Sequence, residues 1–179
     1  MKKFAVIVGI LCVVALGVFF YAAKTSTLVV IETTFDAPVE KVWQVWTDPA
    51  FIQKWWGPKH YTAPIIQNDL RVGATFLYSM KSPKDQTTWN TGRYTEVVLH
   101  KKIVSKMSFS DETGTPITAE QAGLPGSWRD EMTVTVDFTS EGPRTHVRVQ
   151  EDGIPLLMSL FTKMGWEQQF IKFETLLLP

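Results

Sequence analysis

Residues Phe4 to Ala23 (FAVIVGILCVVALGVFFYAA) form a run of 20 positions without a charged side chain. As a helix this run rises roughly 30 Å, the hydrocarbon thickness of a bilayer. So long an apolar stretch has no place inside a small water-facing core. It divides the chain into an N-terminal segment, residues 1–24, and a domain, residues 25–179. A cleaved secretory signal has a shorter apolar region, about 7–15 residues, and small side chains at the first and third positions before the cut. Cleavage after Ala22 or Ala23 puts Phe20 or Tyr21 at that third position. Ala15-Leu16-Gly17 satisfies the rule but leaves the apolar stub VFFYAA on the mature chain, and this is the alternative fate. A lipid-modified Cys12 needs a small residue before it, and Leu11 stands there. The reading adopted is an uncleaved, single-pass membrane anchor through residues 4–23. Lys2, Lys3 and the terminal amine, against Lys24 on the far side, put the N-terminus inside and the domain on the extracytoplasmic side.

Composition narrows what the domain does. Basic and acidic residues number 18 each, for a formal net charge of zero, whereas a nucleic-acid binder carries a basic surplus. At 45% hydrophobic and 20% charged, the chain is not disordered. A single cysteine excludes an intrachain disulfide framework and a thiolate metal cluster. Without Lys2, Lys3 and Lys24 the domain has 15 basic against 18 acidic residues, a balance unsuited to anionic lipid head groups. Seven Trp and eleven Phe point to a large aromatic core or cavity.

The domain reads as a strand, two short helices, a strand run and a final helix. Thr27–Phe35 is rich in β-branched residues and free of Gly and Pro. Asp36-Ala37-Pro38 starts a helix in which Val39, Val42, Trp43 and Trp46 fall on one face. Asp48-Pro49 starts a second helix carrying Phe51, Ile52, Trp55 and Trp56, and Gly57-Pro58 ends it. Strands are predicted at Ile65–Asp69, Thr75–Lys81, Thr88–Val98, Lys102–Ser110, Glu131–Thr139 and Thr145–Glu151, with turns at Val72-Gly73, Ser82–Asp85 and Glu141–Pro143. Asp111–Ser127 is polar, contains Gly and Pro, and reads as a mobile loop or lid. The last helix is predicted from Leu156 to about Leu178. Trp166, Phe170, Phe173 and Leu177 form its core-facing stripe, and Leu157, Phe161 and Met164 a second apolar line.

This order describes an α+β, helix-grip architecture: a curved antiparallel sheet wrapped around a long C-terminal helix, preceded here by one transmembrane helix. Phe35–Trp43 (FDAPVEKVW), Trp55-Trp56-Gly57-Pro58, Asp69–Gly73 (DLRVG), Gly92–Val97 (GRYTEV) and Gly165-Trp166 follow one another in order. On these motifs the chain, from about Thr27 to Leu178, resembles the activator of heat-shock protein 90 ATPase homologue 1-like family of the START/Bet v 1-like superfamily. Ala74 stands where that family usually has a second glycine, and the membrane segment has no counterpart in its cytosolic members.

Catalytic constellations are sparse. His60, His100 and His146 lack metal-ligand spacing, and there is no G-x-S-x-G elbow or phosphate loop, so no metal, cofactor or catalytic residue is assigned. His60 reads as a surface residue, and His146 as facing away from Val147 and Val149. Asp69 with Arg71, and Arg93 with Glu96, read as structural charges. Aromatic and sulfur side chains are the better lead. Tyr78 and Met80 share a strand face, as do Met107 and Phe109; with Trp89, Trp128, Met132, Met158, Phe161 and Met164 they are candidates to line a cavity between sheet and helix. Plain core packing is the alternative for each. The resemblance implies an interior that is not filled, hence a pocket for a small hydrophobic molecule, with Asp111–Ser127 at its mouth and Trp128 at the hinge. Three functions follow. The first is a membrane-tethered module binding a hydrophobic ligand. The second is a protein-interaction module acting on a chaperone, which requires a cytosolic domain. The third, found elsewhere in the superfamily, is a cyclase- or hydratase-like enzyme.

Overall fold

Strand β1 (Ser26–Phe35) opens the domain in a computed structural model that describes residues 25–178. The membrane helix predicted for residues 4–23 lies outside the described residues, and among those described no helix is long and apolar enough to cross a membrane. After β1 come α1 (Val39–Thr47) and α2 (Pro49–Trp55). The Asp48 carboxylate accepts from the Ala50 N–H at 2.8 Å and caps α2, while Pro49 occupies its first turn. Six strands follow: β2 (Ile66–Asn68), β3 (Thr75–Lys81), β4 (Thr87–Val98), β5 (Lys102–Ser110), β6 (Met132–Glu141) and β7 (Arg144–Pro155). Helix α3 (Ser159–Glu174) closes the fold.

The seven strands form one antiparallel sheet in the order β1-β7-β6-β5-β4-β3-β2. β1 and β2 are thus opposite edges, and α1 and α2 carry the chain from one to the other. On β6, Met132, Val134, Val136 and Phe138 are buried while the intervening residues are not, as the alternation predicts. Register shifts at Tyr94/Glu96 on β4 and at Thr27/Leu28 on β1 bend the sheet, as bulges do. The departure at Ala74 is harmless. The positive backbone angle of the Val72-Gly73 turn falls on Gly73, at +83°, and Ala74 does not share it.

The final helix is shorter than its hydrophobic pattern. Leu156–Met158 form a tight turn instead, closed by the Ser159 N–H on the Leu156 carbonyl, while the Leu156 N–H donates to the Thr25 carbonyl at 2.8 Å. After Glu174 the chain again closes short turns, Leu176 N–H to the Phe173 carbonyl and Leu177 N–H to that of Glu174. What remains is 16 residues, roughly 24 Å. Trp166, Phe170 and Phe173 are buried as expected, but Leu157, Phe161 and Met164 are exposed, so the second apolar line does not enter the core.

Helix α3 lies mainly against β1 and α2, with little contact to β7. Phe173 stacks on Phe35 with ring centroids 4.8 Å apart, and Phe170 meets Phe35 edge-on at 5.8 Å. Trp46 of α1 packs on Trp55, Phe138 and Phe173 at 5.1–5.5 Å. This aromatic cluster fills the β1 side of the concave face and leaves the β3–β6 side open.

Gly92 is the tightest point of that open side. A Cβ there would lie 2.3 Å from the Lys106 carbonyl oxygen and 2.4 Å from the Phe76 ring. Phe76 therefore lies directly over the glycine. Gly92→Ala is expected to cost about 1–3 kcal/mol in denaturant unfolding, an overpacking penalty. A variant as stable as the parent would show that both Phe76 and the Lys106 backbone give way freely.

Candidate functional site

Between α3 and the open part of the sheet lies a cavity of about 410 Å³. Strand alternation decides what faces it. Tyr78 and Met80 of β3, Asn90 of β4, Met107 and Phe109 of β5 and Met132 of β6 form the floor. Met158 and Phe161 overhang it, and Trp128 stands at its edge, ring edge-on to Phe109 at 5.2 Å. The Trp128 indole N–H donates to the Pro125 carbonyl at 2.8 Å, which ties the ring to the end of the Asp111–Ser127 loop. Leu124 of that loop also lines the cavity, while Ala119 is buried.

Eight of the ten candidate positions thus come together: Tyr78, Met80, Met107, Phe109, Trp128, Met132, Met158 and Phe161. Two do not. Trp89 pairs with Ser79 on β3, out of phase with Tyr78, Met80 and Asn90, so it faces the other side of the sheet. Met164 is 44% exposed and does not line the cavity.

Polar groups escaped the sequence reading. Glu151 of β7 lines the cavity with only 6% of its surface exposed. Its Oε2 accepts from the Trp166 indole N–H at 2.9 Å, and Oε1 has no hydrogen-bond partner among the described residues. Burial pushes the Glu151 carboxyl above its ordinary range, against the smaller, opposing effect of the Trp166 hydrogen bond. Asn90 and Ser105 are buried in the same floor, and their side chains have no protein hydrogen-bond partner among the described residues. Glu151, Val134, Ser105 and Tyr94 sit opposite one another on successive strands, a single row across the sheet.

At the far end of the row the Tyr94 hydroxyl donates to Asn68 Oδ1 at 2.5 Å, and Asn68 Nδ2 donates to the Thr47 carbonyl at 2.7 Å. The Tyr94 proton being used, the Tyr78 hydroxyl is the donor in its 3.2 Å bond to Tyr94. Burial pushes Tyr94 up to about 12, and pushes Tyr78 well above the ordinary phenol range. Both stay protonated at neutral pH. Among the described residues no Lys, Arg or His lines the cavity, and the ionisable groups that do are Glu151, Tyr61, Tyr78 and Tyr94.

The Trp55-Trp56-Gly57-Pro58 motif works as a latch on α3. The Gly57 N–H donates to Gln169 Oε1 at 2.9 Å, and the Lys172 ammonium donates to the Gly57 carbonyl at 2.9 Å. Gly57 has a backbone φ of +91°, and a Cβ there would meet Met80 at 3.0 Å. Trp56 lines the cavity with its indole N–H buried and without a partner.

The remaining charged candidates lie elsewhere. Asp69 and Arg71 pair with each other on the surface. Arg93 pairs with Glu131 at 2.6 Å and Glu96 with Lys102 at 3.2 Å, all partly exposed. His60 is exposed in a turn, His100 meets the edge of Trp43, and His146 bonds Thr34 on the face away from Val147. Among the described residues no group of three His, Cys, Asp or Glu is placed to hold a metal.

A family model for activator of Hsp90 ATPase homolog 1-like protein matches residues 36–177. The chain belongs to this family. Solved structures share its fold at low identity. A Chromobacterium violaceum protein has 23% identity and a TM-score of 0.71 over 85% of this chain and 97% of its own. A Mycobacterium smegmatis protein has 24% identity and a TM-score of 0.70, covering 87% and 96%. The AHSA1 protein of Silicibacter pomeroyi has 18% identity and a TM-score of 0.67, covering 83% and 96%. No curated protein gives a significant match.

The buried carboxyl makes a stability prediction. Below about pH 4 Glu151 is protonated in both the folded and the unfolded chain. As pH rises the unfolded chain ionises first, because the folded pKa is raised, so the folded state loses stability until Glu151 itself ionises. Glu151→Gln removes this loss. Its Tm relative to the parent is expected to climb as pH rises from about pH 4, and to level off once Glu151 ionises in the folded chain. A difference that does not change with pH would show that Glu151 titrates as it does in the unfolded chain.

Proposed function

We propose that this family member is a membrane-tethered module that takes a small, largely apolar molecule into the cavity between α3 and the sheet. The observation that carries the binding reading is an apolar cavity of about 410 Å³ with buried, unpartnered polar groups in its floor, Asn90 and Ser105. Buried polar groups in native proteins are nearly always satisfied, so these two await a bound molecule or water. The volume is within the usual range for small-molecule sites, about 300–1,000 Å³.

The tethering reading is supported by where the domain begins. Thr25 is bonded to Leu156, so the chain enters the domain beside Leu156, Leu157, Leu160 and Phe161, all exposed. Phe161 belongs both to this apolar lip and to the cavity wall. With residues 4–23 in a bilayer, the lip lies close to the lipid surface and the ligand enters from that side. Family membership favours a second reading, a protein-interaction module acting on a chaperone, as the family's description implies. That role needs the domain in the cytosol.

Two measurements separate these readings. Phe161 is 63% exposed, so Phe161→Arg is expected to shift stability by less than about 1 kcal/mol while weakening Nile red binding about tenfold or more. Trp128→Ala is expected to act in the same direction. Dye binding that falls only in step with Tm would make both residues simple packing. In C-terminal fusions, phosphatase activity without fluorescence places the domain outside the cytosol. Fluorescence with silent phosphatase moves the chaperone reading to first place.

A further inference from the structure

Among the described residues the cavity is lined by one carboxylic acid and no base, and that asymmetry constrains the ligand. Trp166 Nε1 is a donor only, so the Glu151 oxygen it reaches, Oε2, acts as an acceptor. The other oxygen opens into the cavity without a protein partner. Around Glu151 the neighbouring strands present Val29 on β1 and Val134 on β6, and α3 presents Trp166. Gln150 and Asp152, its chain neighbours, point to the other face of β7. None of these supplies a positive charge, and Lys172, on the same helix as Trp166, spends its ammonium on the carbonyls of Gly57 and Tyr61. Burial favours the protonated form of such an acid, and with Oε2 accepting from Trp166 its proton belongs on Oε1. In that form it is a hydrogen-bond donor aimed into an apolar chamber.

We propose that Glu151 is the polar anchor of this cavity, and that the ligand is an uncharged, mostly apolar molecule presenting a carbonyl-type acceptor oxygen to Glu151 Oε1. The inference rests on the cavity being a binding site. It adds the chemical class of the ligand and the atom that orients it. An aliphatic or aromatic ketone, aldehyde or quinone fits. A purely hydrocarbon ligand leaves the acid unpaired, and a cation would need the carboxylate instead.

Three near-isosteric probes test this: acetonaphthone, ethylnaphthalene and naphthylethylamine. Each is titrated calorimetrically into the full chain in lipid nanodiscs, with the heat of partition into empty nanodiscs subtracted. Acetonaphthone is expected to bind roughly 5- to 30-fold more tightly than ethylnaphthalene, the worth of one buried hydrogen bond. Glu151→Gln retains that ratio, since the amide oxygen accepts from Trp166 and the amide nitrogen donates to the ketone. Glu151→Leu brings the ratio close to one. Independently of any variant, the carbonyl stretch of acetonaphthone bound to the parent protein is expected below its value in hexane.

Equal affinity for ketone and hydrocarbon, or an unshifted carbonyl stretch, overturns the assignment of Glu151 while leaving the cavity as a binding site. Tightest binding of naphthylethylamine, abolished by Glu151→Gln, overturns it in favour of a carboxylate that pairs with cations. Failure of all three probes to bind overturns both the assignment and the binding function on which it rests.

Discussion

The stack of Phe173 on Phe35 decides where the long helix lies, and most of the architecture follows from it. Phe35 ends β1, an edge strand, so a helix held there cannot also cover β3–β5. Two further restraints on α3, Gln169 and Lys172 on the Trp56-Gly57 segment, act at the same end. Ring contacts of this kind add about 0.5–1.5 kcal/mol each beyond their buried area. The C-terminal half of α3 is therefore fixed on three sides. Its N-terminal half, with Leu160 and Phe161 more than half exposed, overhangs the open face of the sheet. One helix serves as both wall and lip.

A fold that leaves its concave face open forgoes dispersion and burial there, and it holds polar groups without protein partners. Both are costs to stability, of the order of 1–3 kcal/mol for each buried group left unsatisfied. They are tolerated because the opposite half of the domain is densely packed. Trp55 is almost wholly buried with its N–H donated to the Val45 carbonyl at 2.9 Å, and Val42, Val45, Val147 and Val149 have no exposed surface. Departure from good packing confined to one chamber, beside a core that packs well, is the pattern expected where function sets the residues.

Local rules made much of this legible. The spacing of Val39, Val42, Trp43 and Trp46 fixes the buried face of α1, and all four are buried. Two-residue alternation also carried information about the site. On β4 it turns Trp89 away from the cavity and Asn90 toward it, so a choice based on aromatic character picked the wrong neighbour. On β7 the alternation that faces His146 outward faces Val147, Val149 and Glu151 inward, and the strand continues past Glu151 to Pro155. Extending that phase by one step identifies the buried acid from sequence. The start of α3 was not legible in this way. Its hydrophobic pattern continues through Leu156 and Leu157, and the tight turn at Leu156–Met158 leaves no mark on that pattern.

The charge arrangement also separates classes of ligand that an apolar chamber alone would not. A fatty acid matches the cavity in hydrophobicity. Its carboxylate, brought to the Glu151 end, meets an acid and no cation; brought to the other end, it meets two tyrosines whose protons are already given, Tyr94 to Asn68 and Tyr78 to Tyr94. In either place the anion is desolvated without a counter-charge, a penalty of several kcal/mol that apolar contact does not recover. An uncharged ketone of the same size loses far less hydration and gains a donor. Discrimination therefore comes from what the chamber lacks, a basic residue, as much as from the carboxyl it contains.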